Sequence, residues 1–453
     1  MTATIGAMRS AAAALAAVLA LVLAGCGSSN QTQVHGADGQ DAAALVPPGA
    51  LLFLTADTHI DSKQWQVVED ATGGLTLLQG SLHRRGLDFE RDVRPALGDE
   101  VDVAVLVDEG KPDAVVLTQS KDETKLRTLA AKFDHGTEHY TVERIGDWSV
   151  VADSQSSFDA VRAARSGRSL ADVATFKNAM SAVHGDAVAK AYVDGAGLQQ
   201  VPGGLGALVR AAGSPRWVAA RLSGGTDAVS LDVRIESPTP APVAYRPTLL
   251  RDVPSGAILA LSFKDVDRTL GRLAADPALR RMIERYVGVP LEQLTPALRG
   301  EGAFYVLPGA ALPLFALEVD SPTPEAASRS LRLVAAGLRR RTGSALPVRV
   351  ARYGSRVVFT DAPTKVTTPA GSLVGDQPFK DALAAADVPG EVTFLAYADV
   401  PRLAPLIQAL APVLGAQPPS ATTLQRLDRL GSLVAFGARA GSIERVELRV
   451  TIR

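Results

Sequence analysis

Four residues, Leu23-Ala24-Gly25-Cys26, carry the most specific chemistry in this chain. A thiol set directly after two small side chains, at the end of an apolar run, is an acceptor for a diacylglyceryl group. The small residues before it admit the peptidase that cuts there. The run Ala11 to Leu23 is almost wholly Ala, Leu and Val and follows a basic Arg9, which completes the three parts of a lipoprotein signal. Such a run is too short to span a hydrocarbon core, which needs about 20 helical residues. Residues 1–25 are therefore expected to be a signal peptide, with Met8 a more compact start than Met1, and Cys26 to be the lipidated first residue of the mature protein. It is the only cysteine, so an intramolecular disulfide and a Cys-rich metal site are both excluded, and acylation would leave no thiol for catalysis. Two or three acyl chains suffice for stable anchoring. The expected location is extracytoplasmic, on the cell membrane or, since Gly27 rather than Asp follows the lipidated residue, the outer membrane.

The other candidate groups are weaker. All six histidines (His35, His59, His83, His135, His139, His184) lie in the first half. His135-Gly-Thr-Glu-His139 has the four-residue spacing that converges on one helix face and could bind zinc, yet Gly136 and Thr137 between them read as an exposed turn. Asp57-Thr-His-Ile-Asp61 could offer metal ligands or an acid–base cluster, set against a polar strand-to-helix loop. Asp153 and Asp361 follow strands in corresponding places, as do Asp194 and Asp399, which favours capping or turn formation over paired hydrolytic carboxylates. Gly203-Gly204-Leu-Gly206 lacks the Gly-Lys-Ser/Thr ending of a phosphate loop, and no Gly-x-Ser-x-Gly elbow occurs. Arg339-Arg340-Arg341 places cations at a helix C-terminus, or against anionic head groups. Trp65, Trp148 and Trp217 read as core, with an aromatic-lined pocket as the sharper alternative. No catalytic, cofactor-binding or metal residues are assigned.

Of 453 residues, 47% are hydrophobic and 21% charged, and 47 Lys and Arg balance 48 Asp and Glu. This is a globular composition without the basic excess that nucleic acid requires. Residues 26–44, rich in Gly, Ser, Gln, Asp and Ala, read as the lipidated cysteine and a flexible tether. Beyond it the chain matches itself at a period slightly above 200 residues. Val46-Pro-Pro-Gly-Ala-Leu-Leu-Phe-Leu54 answers to Val253-Pro-Ser-Gly-Ala-Ile-Leu-Ala-Leu261, and Pro95-Ala-Leu-Gly-Asp-Glu100 to Pro296-Ala-Leu-Arg-Gly-Glu301. Arg144-Ile-Gly-Asp answers to Arg352-Tyr-Gly-Ser, Phe176-Lys177 to Phe379-Lys380, and Tyr192-Val-Asp194 to Tyr397-Ala-Asp399. The expected organisation is a first repeat over 45–236, a Pro-rich linker over 237–247 and a second repeat over 248–453.

Each repeat reads as α+β, a mainly antiparallel sheet with helices packed on it. In the first, a strand near Ala50 to Ala56 leads to a helical stretch, Ser62 to Arg85, weakened at Gly73-Gly74. A short helix near Glu90 to Leu97 precedes strands Val101 to Val107 and Ala114 to Thr118. Ser120-Lys-Asp-Glu123 has capping-box spacing before a helix ending near Phe133. Strands near Tyr140 to Ile145 and Trp148 to Ala152, helices over Phe158 to Arg165 and Leu170 to Val183, and a strand from Val188 follow. Trp217 to Leu222 and Val229 to Ile235 make a closing hairpin. The opening strand–helix–strand–strand–helix–strand order is that of a ferredoxin-like unit.

A lipobox followed by tandem units, each opening on a Val-Pro-x-Gly-Ala-hydrophobic strand, resembles the domain-of-unknown-function 3352 family of bacterial envelope proteins. The resemblance implies an extracytoplasmic α+β protein and brings no catalytic residues. The expected role is a lipid-anchored, non-enzymatic binding or scaffold module, its partners the membrane through Cys26 and an envelope protein or apolar ligand. The alternatives are a carrier of lipid or another apolar ligand, and a hydrolase of envelope polymers.

Overall fold

Runs of β-branched and apolar residues broken by Gly turns give sixteen strands among the described residues of this computed structural model. The structure describes residues 37–453, except 109–110, 135–138, 201–212, 239–241, several positions within 275–288, 310–312, 343–347, 363–370, 411–416 and 418. Two compact units divide the chain, in the main at Glu236 and Ser237.

The first unit holds β1 (Leu52–Asp57), β2 (Glu100–Asp108), β3 (Lys111–Thr118), β4 (Thr141–Ile145), β5 (Trp148–Ala152), β6 (Ala189–Asp194), β7 (Trp217–Gly224) and β8 (Ala228–Glu236). They lie in the order β4-β5-β3-β2-β1-β6-β7-β8, each neighbouring pair antiparallel. The second unit holds β9 (Leu259–Lys264), β10 (Glu301–Leu307), β11 (Leu314–Asp320), β12 (Arg349–Tyr353), β13 (Arg356–Thr360), β14 (Phe394–Asp399), β15 (Leu430–Ala440) and β16 (Ile443–Ile452). Their order, β12-β13-β11-β10-β9-β14-β15-β16, is that of the first unit strand for strand. Neither unit is ferredoxin-like. A split β-α-β unit would keep its first strand apart from its second, whereas β1 pairs directly with β2 and β9 with β10.

Strand alternation sorts the side chains of β1 onto two faces. Leu54 and Ala56 enter a core with Trp65, Val68, Leu82, Phe89, Val93, Leu126 and Leu129, supplied by the helices over Lys63–Thr72 and Glu123–Ala131 and the turns between. Gly73, at φ 64, breaks the expected long helix in two; Ser62 caps the first part by accepting from the Trp65 N–H. The expected capping box is not used: Asp122 accepts from Lys125 N, while Ser120 Oγ donates to the Ala96 carbonyl at 2.6 Å. The opposite face of β1 carries Phe53, which meets Phe176 edge to face at 5.6 Å, and Phe176 meets Tyr192 at 5.2 Å. In the second unit Phe379 and Tyr397 repeat that contact at 5.1 Å.

A strap covers this second face. Of the tether expected over residues 26–44, the described part, from Ala37, is packed: the Ala37 N–H donates to the Ala187 carbonyl at 3.1 Å. Asp38 N and Gly39 N both donate to Glu100 Oε2, at 2.8 and 3.2 Å. The helical turn Gln40–Ala43 then buries Ala42 and Ala43 completely. Small residues read as tether from composition because they also pack flat against a sheet. Gly39 has φ +64, and a Cβ there would lie 2.8 Å from Phe53 and 2.9 Å from Thr55. The linker expected over 237–247 is likewise shorter. Tyr245 is buried in the second core and exchanges backbone hydrogen bonds with Val392. Glu301 then accepts from Thr248 Oγ1 and Leu249 N, both at 2.6 Å, as Glu100 does in the first unit.

Candidate functional site

Residues directly opposite on antiparallel strands share a face. Across the strapped face of the first unit the registers align Asp232 (β8), Arg221 (β7), Lys190 (β6), Thr55 (β1) and Asp102 (β2) in one row. Five polar residues stand where the neighbouring rows carry Phe53, Tyr192 and Ala104. The strap and the helix Ala174–Ala182 pack over this side, so Lys190 is 8% exposed, Asp232 5%, and Thr55 and Asp102 not at all.

The row is unevenly compensated. Asp232 Oδ2 receives Arg234 at 2.9 Å and lies 3.9 Å from Arg221. Arg221 also donates from Nη1 to the His184 carbonyl at 2.6 Å. At the other end neither Asp102 oxygen has a hydrogen bond within 3.5 Å among the described residues. Burial, and then the charge of Glu100, push its carboxyl well above the usual range. Lys190, between them, has no ion pair among the described residues.

Lys190 lines a cavity of about 280 Å³ with Asp38, Gln40, Ala171, Phe176, Lys177, Met180, Ser181, His184 and Gly185. The apolar floor comes from Phe176 and Met180 of the helix Ala174–Ala182, both buried. Lys177 and Ser181 lie on the exposed side of the same helix, as Asp38 and Gln40 do on the strap. His184 Nδ1 is held by the Ser181 carbonyl at 3.0 Å.

A second cavity, about 220 Å³, lies at the end of β1 and is lined by Asp38, Asp41, Asp57, Asp99, Glu100, Gln119 and Trp148 among others. Here the structure brings together two residues of the Asp57-Thr-His-Ile-Asp61 motif. His59 Nδ1 meets Asp57 Oδ1 at 2.8 Å, His59 Nε2 lies 3.4 Å from Asp99, and Lys121 Nζ lies 2.6 Å from Asp99. Burial raises the Asp57 carboxyl, opposed by the backbone and ring hydrogen bonds from His59. Asp61 turns away to Arg94, 2.7 Å from Oδ1. No group of three or more metal-ligating side chains forms among the described residues, and the Asp57–His59 pair spends its hydrogen bonds closing the loop that leaves β1.

Cys26, His35 and Gly203-Gly204-Leu-Gly206 lie outside the described residues, as does His135. His139 bonds Asp134 at 3.1 Å. Asp194 accepts from Ala196 N and Asp399 from Arg402 N at the starts of helices. Asp361 accepts from Phe315 N at 2.8 Å. Behind β5 the helix cap is Ser154 rather than Asp153. Arg339 donates to Ala335 O within the helix Pro324–Thr342. Trp65 and Trp217 are buried, whereas Trp148 lines the acidic cavity. Sequence reasoning missed Lys190 and Asp102. Their only signal was a polar residue at every second position of Ala189-Lys-Ala-Tyr192 and Val101-Asp-Val103, which reads as a solvated face.

The family model described as Protein of unknown function (DUF3352) matches residues 9–158. No curated protein and no solved structure matches the chain.

Proposed function

We propose, from the lipobox and the match of the DUF3352 family model to residues 9–158, that it is a lipid-anchored extracytoplasmic protein working by binding rather than by catalysis. Cys26 carries the anchor, and the two units are copies of one ancestral unit. The observation that carries the anchor is the lipobox itself, Leu23-Ala24-Gly25-Cys26 after an apolar run. The family match begins at Arg9, so the run and its cysteine fall inside the matched pattern. Ala37 is packed in the first unit, and a segment from Cys26 to Ala37 reaches at most about 40 Å when fully extended. The first unit would therefore work close to the bilayer surface. Two chains inserted at Cys26 make such an anchor stable.

The same strand order in both units, and the same capture of the incoming chain by Glu100 and Glu301, support duplication. Binding is favoured over hydrolysis because the ionisable groups at the end of β1 are tied to one another in loop-closing bonds. Both described cavities are lined by charge, which suits a polar ligand better than a buried acyl chain.

Cys26→Ala in the native host tests the anchor. The unaltered protein should sediment with membranes and incorporate labelled fatty acid, and the variant should do neither. A variant that stays in the membrane fraction through carbonate washing would overturn the lipid anchor.

A further inference from the structure

We propose that the cavity under the strap is an oxyanion-binding site, with Lys190 as its recognition residue and a small amphiphilic anion as its ligand. The inference deepens the binding reading above but is independent of the anchor.

The first argument is electrostatic. An ammonium removed from water is retained only where an opposite charge or several acceptors compensate it. Lys190 is more than nine-tenths buried and lines the cavity. The nearest acid in its row on one side, Asp232, lies beyond Arg221, with Oδ2 on Arg234 and 3.9 Å from Arg221 and only Oδ1 without a partner among the described residues. Asp102 lies on the far side of Thr55, two strands from Lys190, and burial disfavours its charged form. No carboxylate of the protein pairs with Lys190 where it meets the cavity, so an anion entering from outside finds an unpaired cation there.

The second argument is internal to the chain. Thr55 pairs with Lys190 in the first unit, and Ser262 pairs with Leu395 at the same point of the second. Strand order and register thus make Leu395 the counterpart of Lys190, and Leu395 is buried in an apolar core. The same fold is completed by leucine, so the fold does not require lysine. The contrast extends around the cavity. Counting along each chain from the shared Phe-Lys pair, the place of His184 is taken by Asp387 and that of Ser181 by Ala384. The second unit has lost the cationic and hydroxyl groups together while keeping Phe379 and Lys380.

The chemistry of the lining defines the ligand class. Lys190 at the base and Lys177 on the helix supply two ammonium groups, while the Ser181 hydroxyl and His184 Nδ1 are spent on the Asn178 and Ser181 carbonyls. Asp38 on the strap is the single acid in the lining and is exposed, so water screens it. Phe176 and Met180 offer an apolar floor. A volume near 280 Å³ admits a carboxylate or phosphate head with an apolar body of about one ring, and no more. The same oxyanion head could belong to a free organic acid or phosphate ester, or to a lipid head group next to the anchor.

The test is calorimetric titration of the full chain in detergent with phenyl phosphate and with benzoate, using benzyl alcohol as the neutral control. Saturable binding of one equivalent of either anion, without binding of the alcohol, is the expected result. Lys190→Leu, the residue its counterpart carries, should weaken it at least tenfold. Lys190→Arg should retain most of it, and Lys177→Ala should weaken it less than Lys190→Leu. Dihexanoyl phosphatidic acid against glycerol 1-phosphate then separates the sources: tighter binding of the former assigns a lipid head group, and of the latter a free ester. Failure of both aromatic anions to bind, or equal binding by a folded Lys190→Leu variant, would sink the proposal. Neither result bears on whether Cys26→Ala leaves the membrane, so the two readings fail separately.

Discussion

A carboxyl buried beside another acid holds its proton more tightly than one in water, and Asp102, raised by burial and by Glu100 against the pull of Thr55, is such a group. Its effect on stability has a definite sign. Below about pH 3.9, the usual value for Asp, folded and unfolded chains are both protonated and the titration contributes nothing to stability. Above it the unfolded chain ionises while the folded one holds the proton, so the native state loses ground as pH rises toward the raised folded value. Asp102→Asn removes the titration and keeps the shape. Urea unfolding at pH 4, 6 and 8 should show the variant gaining on the parent by up to about 1.4 kcal/mol per pH unit across that interval. A variant less stable than the parent at pH 8 would mean that the ionised carboxylate is stabilising. At this scale the sequence showed the groups that lie near each other along the chain, such as Asp57 and His59. It did not show Lys190 and Asp102, because their meaning depends on a cover supplied by residues far away in sequence. Alternation identifies two faces of a strand but does not say which one is wet.

At the scale of elements, the strap is the feature that converts that face from solvated to buried. Besides the Ala37–Ala187 backbone bond and the packing of Ala42 and Ala43, one carboxylate, Glu100, holds it by taking two backbone donors. Glu100→Ala leaves Asp38 N and Gly39 N unpaired and should cost about 1–3 kcal/mol, with faster amide exchange confined to residues 37–43 and the strands beneath. Gly39→Ala attacks the same element differently. The positive φ alone costs about 1–2 kcal/mol, and the added Cβ meets Phe53 and Thr55. Glu301→Ala should loosen the segment around Thr248 and Leu249 in the same way. Exchange unchanged in residues 37–43 after Glu100→Ala would show that Ala42 and Ala43 hold the strap by packing alone. Elements with a local cause were legible: the helix break at Gly73 follows from its backbone freedom, and the strands from their β-branched residues. The strap and the cap at Asp122 were not. Composition scores Ala, Gly and Asp as tether whether or not a sheet lies under them. Ser120 and Asp122 compete for one cap that only the position of Ala96 decides.

At the scale of the whole chain, the matched sequence blocks fall at equivalent strands, and the strand order is the same in both units. What the blocks could not convey is how polar positions were redistributed within a common frame. The row that carries Asp102 on β2 carries Ala303 on β10, and the buried acid moves one strand over, to Glu318 on β11. Glu318 is 3% exposed and accepts from the Tyr305 hydroxyl at 2.8 Å. Burial nevertheless raises its carboxyl above the usual range. Each unit therefore carries its own acid that favours the folded state at low pH and penalises it as pH rises. Glu318→Gln keeps an acceptor for Tyr305 and removes the titration. Amide exchange at pH 8 should show protection rising in β9 to β11 for Glu318→Gln and in β1 to β3 for Asp102→Asn, each without change in the other set. In the double variant the gains should add to within about 0.5 kcal/mol, as they do for sites with no shared partner. A larger coupling would show that the two buried acids report on one cooperative structure rather than on two units that each balance their own charge.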